Sequence, residues 1–339
     1  MYRKTGQHSP QPTECNRPVC LSILPTTPKG KSNLSLLPSV GKFTQRVEME
    51  GFKSLLTCRG LVLLDLGYNN FTGELPSSFK SLQALKGLSL SGTSLNNLPS
   101  ALVTLQHCNN LHTLFLSASF KDEVMPGNID LQFESLMALL ISNSHLKGSI
   151  KSWLSSGFPN LRVLDLSGNR LSGTIPSWIG EFPLLHYLDL SNNSFTGVVP
   201  QSLTELRSLR DLTSADFSSF LTKLSERSLT VYSLQGISVP TLDLSNNELT
   251  GPIWPSFGNL TELSILRMRN NSLSGSIPRS ISRLSRLWVL DLSYSNLSGD
   301  IPESLKELHL LSIFNVSYNK LSGKVPQGGQ LDTFTSSSY

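Results

Sequence analysis

The stretch from Leu161 to Pro200 reads LRVLDLSGNRLSGTIPSWIGEFPLLHYLDLSNNSFTGVVP, and it says the same thing twice. Leu166 and Leu190 lie 24 residues apart, each within a phrase of the form L-x-x-L-D-L-S-x-N-x-[LF]-[ST]-G-x-[IV]-P. A unit this small cannot bury its own apolar face and has to stack on copies of itself. In Leu164-Asp165-Leu166-Ser167 apolar and polar residues alternate, so a short strand points both leucines inward and Asp165 and Ser167 outward. Asn169 falls where the chain must turn; an inward amide there can bond backbone groups of its own turn and the next that burial would otherwise leave unpaired. Leu171, Gly173 and Ile175-Pro176 then carry the chain round a second corner, Gly by backbone freedom and Pro by ending regular hydrogen bonding. One phrase is one coil of a solenoid.

Outward from this pair the count is regular. The second strand leucine or its substitute recurs at Leu66, Leu90, Leu116, Ile141, Leu166 and Leu190, and after a gap at Leu244, Met268, Leu292 and Val316. Three residues on, the turn position holds Asn69, Thr93, Ser119, Ser144, Asn169, Asn193, Asn247, Asn271, Ser295 and Asn319. Hydroxyls reach less far than amides and make fewer bonds, so Thr93 to Ser144 is expected to be the loosest part of the spine. The outward strand positions stack into columns. One column is expected to hold Asp65, Asp165, Asp189, Asp243 and Asp291, with Ser89, Ser117, Leu140, Arg267 and Asn315 between them. Spaced carboxylates of this kind suit a basic peptide, although solvated surface aspartates are the simpler reading.

The interval from Leu190 to Leu244 is 54 residues, far more than one period. The extra chain carries Phe217, Phe220, Leu221, Leu229, Val231 and Tyr232 outside the repeat. Insertions in repeat proteins map to one face and commonly build binding sites, since the solenoid supplies rigidity and the loop supplies shape. The organisation expected is a weakly ordered segment over 1–55, six coils over 56–203, an insertion over 204–238, four coils over 239–326 and a tail over 327–339. Asp216-Phe217-Ser218 is no kinase motif, because no Gly-rich loop, V-A-I-K lysine or H-R-D loop accompanies it.

Composition excludes several functions. The 339 residues are 38% hydrophobic and 15% charged, with a net charge of +4. No Lys/Arg cluster interleaves with aromatics, as a nucleic-acid groove would require. Six histidines are scattered away from cysteine, giving no metal-ligand spacing, and no cofactor motif occurs. Cys58 and Cys108 each open a coil, two coils apart and too distant to bridge, and read as structural thiols; a Cys15–Cys20 disulfide has no support in the pattern. No nucleophile, base and orienting group recur together, so an enzyme is not expected. The N-terminus lacks the pattern of a signal peptide, and no apolar run of eighteen or more residues spans a membrane. Against this, seven N-x-[ST] sequons, at Asn33, Asn70, Asn192, Asn259, Asn270, Asn296 and Asn315, point to an extracellular parent.

The phrase L-S-G-x-I-P resembles the plant-type leucine-rich repeat, and Asn259-Leu260-Thr261, Gly275-Ser276-Ile277-Pro278 and Gly323-Lys324-Val325-Pro326 continue it. Pro176-Ser177-Trp178-Ile179-Gly180, the run Tyr187 to Gly197, Gly251-Pro252-Ile253-Trp254 after the insertion and Gly328-Gly329-Gln330 near the end look like the ectodomain of the phytosulfokine receptor family. The resemblance implies a right-handed leucine-rich-repeat solenoid of the α/β repeat class, with a concave parallel sheet, an irregular 3₁₀ convex side and one island insertion. It implies a cell-surface or extracellular receptor holding a short, tyrosine-sulfated secreted peptide as an added strand between concave face and island, with a co-receptor leucine-rich-repeat kinase beside it. Ser89, Ser91 and Asp165 match the family's ligand-contacting positions, and Ser117 stands where the family can have Thr. Asp65 replaces an Asn near the peptide's sulfate, and Thr222 replaces an island Lys, with Lys223 next to it. Asp189 and Phe220 complete the candidate binding set. A carboxylate in place of a neutral donor, together with the loss of a cation, turns attraction for a sulfate into repulsion, so weak or absent binding of the sulfated peptide is expected. The absence of the family's paired-cysteine cap, earlier repeats, membrane helix and kinase suggests a fragment or truncated relative. Two further readings remain at this stage: a protein–protein module such as an inhibitor of cell-wall hydrolases, and a non-functional piece of a receptor kinase. An uncapped first coil near Leu61 to Pro76 is expected to expose a sheet edge and to be poorly soluble unless residues 1–55 cover it.

Overall fold

The computed structural model describes residues 19–22, 47–48, 59–127, 129–211 and 237–339. Every coil contributes one short strand to a parallel sheet, and the order of strands along the sheet is the order of coils along the chain. Ten of its eleven strands are the L-x-L cores expected from the repeat, from Leu61–Asp65 through Val163–Asp165 and Tyr187–Asp189 to Ile313–Asn315. Leucines one coil apart lie in register, for example Leu164 with Leu188, and Leu266 with Leu290. Their side chains, with Leu66, Leu90, Leu190 and Leu244, are fully buried in one continuous core running from Leu61 to Leu331. The chain is a leucine-rich-repeat solenoid, and its long axis is the direction of strand stacking.

The second corner of the last seven coils builds a smaller parallel sheet of seven strands, including Arg170–Thr174, Ser194–Val198 and Glu248–Pro252, while Phe71–Glu74 and Ser94–Asn96 of the first two coils belong to a separate three-stranded sheet. Gly173 turns there with φ +82°, a conformation closed to most side chains. The convex side follows as five-residue 3₁₀ helices, among them Ser177–Glu181, Pro255–Asn259 and Glu303–Glu307, each after an extended Pro or Trp. Coils stack so closely here that a Cβ on Gly180 would run into the carbonyl oxygen of Ser202 in the next coil. Two coils have an α-helix in place of the 3₁₀ turn: the short Trp153–Ser156, and Leu98–Leu105, started by Pro99 and by Asn97, whose side chain accepts a bond from Ser100 N–H at 3.2 Å.

The eleventh strand of the main sheet is Val19–Ser22, which pairs parallel with Leu61–Asp65, and Val47–Glu48 pairs with Phe71–Glu74. Two pieces of the segment expected to lack regular structure therefore cap the first coil. They satisfy the edge the repeat leaves open, the alternative to exposure that the sequence allowed.

The insertion leaves the solenoid uninterrupted. Tyr187–Asp189 pairs directly with Thr241–Asp243, Leu188 opposite Leu242, across the long interval. Leu206 and Leu209, placed inside the insertion by the sequence, are fully buried in the core, and Leu209 C=O accepts Glu262 N–H at 2.9 Å. The coil thus runs on to Leu209, and the chain re-enters at Ile237, buried against the sheet's open face.

The turn ladder is built as the amide argument requires. Asn169 donates to Ile141 C=O at 2.7 Å and Leu166 C=O at 2.9 Å, while its Oδ1 accepts Ser144 N–H at 3.1 Å and Leu146 N–H at 3.0 Å. Thr93 and Ser119 also bridge coils: their hydroxyls lie 2.8 Å apart, so that one can donate to Leu90 C=O while the other donates to that hydroxyl, and Ser119 Oγ accepts Thr93 N–H at 3.1 Å. The rung without a side-chain bond is Ser295, whose Oγ is buried and unpartnered. An unpartnered rung thus lies near the C-terminal end; of the Thr93–Ser144 stretch expected to be loosest, Thr93 and Ser119 are bonded across coils, while the Ser144 hydroxyl reaches only Ser142 C=O of its own coil at 3.3 Å.

Candidate functional site

Register decides which side chains share the concave face. Reading across the sheet, the column that starts at Asp65 continues with Ser89, Phe115, Leu140, Asp165, Asp189, Asp243, Arg267, Asp291 and Asn315. Ser117 is not in it. Phe115 takes that place, and Ser117 lies two residues further on, accepting a bond from the Ser142 hydroxyl at 2.8 Å. The expectation for Ser117 is out of register: in every other coil the column residue immediately precedes the second strand leucine, and before Leu116 that residue is Phe115.

The consequence is that the concave candidates fall into two groups. Asp65, Ser89 and Ser91 sit at one end, all at least half-buried, with Asp65 Oδ1 accepting Gly67 N–H at 2.9 Å. Burial raises the Asp65 carboxyl above its ordinary value, partly offset by bonds from Gly67 N–H and Ser89. Asp165 and Asp189 form the second group. Between the two lies an apolar patch absent from the candidate set: Phe115, Met137, Ala138, Leu140 and Val163, all buried, with Ile237 and part-buried Tyr187 packed against them. The signal that could have found it is the run Met137-Ala138-Leu139-Leu140, apolar at the outward positions as well as the inward ones.

The carboxylates beyond the patch are not solvated. Asp243 is 8% exposed. Asp165 and Asp189 are half-buried, and burial raises both above the usual carboxylate range, Asp189 to about 7 with the charges of Asp243 and Asp165 adding to the effect. Each is held by its own strand: Ser167 N–H and Oγ donate to Asp165 Oδ1 at 2.9 and 2.6 Å, and Ser191 N–H donates to Asp189 Oδ1 at 2.9 Å. Arg267 Nη1 stands 3.6 Å from Asp243 Oδ2. Buried His186, beside this group, is lowered to about 4 by burial and by the charge of Arg162.

Phe220, Thr222 and Lys223, with the other aromatics of the insertion, lie outside the described residues, as do Asn33 and the side chains of Cys15, Cys20 and Cys58. Cys108 is a free buried thiol, raised to about 11 by burial, its Sγ 3.3 Å from Phe79 C=O, as the structural reading expects. Among the described residues, no helix is long and apolar enough to cross a membrane.

A curved parallel sheet, a 3₁₀ convex side and an Asn ladder define a leucine-rich-repeat solenoid of the kind found in plant receptor ectodomains. Leucine rich repeat family models match residues 134–193, 159–213 and 237–297, and a further one residues 60–82. The chain is similar to phytosulfokine receptor 1 of Arabidopsis thaliana, 49% identical over 192 residues, which cover 55% of this chain and 19% of that protein. Among solved structures it is similar to the plant peptide hormone receptor RGFR1 in complex with RGF2, at 27% identity and a TM-score of 0.65 over 84% of this chain and 40% of that one. It is also similar to the Arabidopsis receptor kinase HAESA ectodomain in complex with an IDA peptide hormone, at 27% identity and a TM-score of 0.62 over 86% and 46% of the two chains. The chain therefore spans less than half the length of each of these proteins.

Proposed function

We propose that this chain is a non-catalytic, receptor-type peptide-binding module that takes a short secreted peptide along its concave face, beside the insertion. The observation that carries the reading is the apolar patch around Phe115 and Leu140, flanked in one column by Ser89 on one side and Asp165 and Asp189 on the other. A peptide laid across the strands beside the patch bonds the polar groups that flank it. Ile237, where the described chain resumes after the insertion, packs on the same patch. The peptide-hormone complexes of the similar receptors support the class of ligand. On this reading a co-receptor leucine-rich-repeat kinase docks beside the bound peptide, the module faces the cell exterior, and the exposed sequons at Asn259 and Asn296 carry glycans.

Replacing residues 212–236 by a short Gly-Ser linker keeps Leu206 and Leu209 in the core and tests the proposal. Expected is an unchanged thermal melt with loss of binding to pooled secreted plant peptides, measured by affinity capture and mass spectrometry. Retained capture of a protein partner by the shortened chain would favour the hydrolase-inhibitor type of module, which needs the concave column alone.

A further inference from the structure

Asp165, Asp189 and Asp243 occupy the same register position on three consecutive strands, spaced about 4.8 Å apart as neighbouring strands are. The next strand brings Arg267, between Asp243 and Asp291, and its guanidinium leans on Asp243. That leaves Asp165 and Asp189 as adjacent, half-buried carboxylates for which no salt bridge occurs among the described residues. In each, Oδ1 is taken by its own strand, and a hydrogen bond from the Ser142 side chain also reaches Asp165.

A second observation lies on the far flank. Ser245 is 6% exposed, and its Oγ is buried without a partner. In the same Asp-Leu-Ser context, Ser167 and Ser293 donate their hydroxyls to the aspartate two residues back, each at 2.6 Å. The Ser245 hydroxyl, on the same face beside Asp243, makes no such bond and is free for an incoming group.

The spacing selects the occupant. Carboxylates on separate strands are too spread to close on one metal ion, and among the described residues no group of three Asp, Glu, His or Cys could hold one. A guanidinium is the match: it is planar, always charged and presents five donors across a fork wide enough to meet carboxylates on neighbouring strands, whereas an ammonium is a compact point charge.

We propose that Asp189, flanked by Asp165 on one side and by Asp243 and the Ser245 hydroxyl on the other, is the receptor for an arginine side chain of the bound peptide. This rests on the reading of the concave face as a peptide site and adds the class of residue that the site reads. It also fits the departure at Asp65, since a face with these carboxylates repels a sulfate and attracts a cation. Because burial holds Asp189 near neutrality, an arriving guanidinium favours the ionised form and drives a proton off.

Positional libraries of acetylated, amidated hexapeptides test this on the full chain, with one position fixed in turn as Arg, its neutral isostere citrulline, Lys, Asp or sulfotyrosine. The Arg-fixed pool is expected to bind at least tenfold more tightly than the citrulline pool and to release protons at pH 7, read calorimetrically in two buffers of different ionisation enthalpy. Asp189→Asn, and separately Asp165→Asn, should abolish both the preference and the proton release while leaving the far-ultraviolet circular dichroism spectrum of the folded chain intact. Equal binding of Arg and citrulline pools, or preference for sulfotyrosine or Asp, overturns the arginine site and leaves the receptor reading standing. Binding of no pool overturns both.

Discussion

A single buried amide shows how much one residue carries in this fold. Asn169 satisfies four backbone groups of two coils, and Asn169→Ala would leave them buried without partners. The expected cost is about 2–4 kcal/mol, several net bonds together with desolvation of the orphaned groups. Ser295 occupies the equivalent rung with an unpartnered hydroxyl, so Ser295→Ala should be close to neutral. Ser295→Asn should gain about 1 kcal/mol, because an amide there can reach Met268 C=O and Leu273 N–H as Asn319 reaches Leu292 C=O and Leu297 N–H one coil later. Urea denaturation of the three variants against the parent measures the differences. Similar losses for Asn169→Ala and Ser295→Ala would refute this account of the ladder.

At the scale of the strand, the acidic column couples folding to pH. Asp189 is raised from 3.8 to about 7, so its contribution to stability is full below pH 4 and is lost as pH climbs through 7. Asp165 and Asp65, also raised by burial, act with the same sign. His186 opposes them: lowered from 6.5 to about 4, it favours the fold above pH 6.5 and costs stability as pH falls toward 4. The groups facing Asp189 are Asp165, Asp243, Tyr187 and, one strand further, Arg267. With three carboxylates against one imidazole, the melting temperature is expected to fall between pH 5 and 7.5. Asp189→Asn should flatten that fall by up to about 1.4 kcal/mol per pH unit, the slope of one proton. Scanning calorimetry of both chains across this range decides it, and superimposable profiles would show Asp189 to be solvated after all.

The strands were the most legible elements in the sequence, because each repeats a two-residue alternation whose inward leucines have no other place to go. The acidic stretch from Asp165 to Asp243 could be read for the same reason. Phe115 follows the same rule, standing immediately before Leu116 as Asp165 stands before Leu166, whereas Ser117 comes after it; what the repeat does not reveal is that this outward position is buried. The burial of the aspartates was equally out of reach, since it depends on what packs across coils. Leu206 and Leu209 were misplaced because an insertion announces its length and not its first residue.

For the whole molecule, stability passes from coil to neighbouring coil, and the ends are where it can fail. Val19–Ser22 supplies the partner of the first repeat strand. Removing residues 1–22 strips this strand away and should drive concentration-dependent self-association, visible in light scattering, because parallel strand edges recruit one another. A truncated chain that stays monomeric would show that the first repeat needs no cover.

The direct pairing of Leu188 with Leu242 has a consequence for descent as well as for structure. A lattice that closes behind a detour places almost no limit on what the detour contains, so such a cassette can be lengthened, shortened or exchanged between genes while the scaffold stays unaltered. New recognition can then evolve at one address without renegotiating the architecture that holds it.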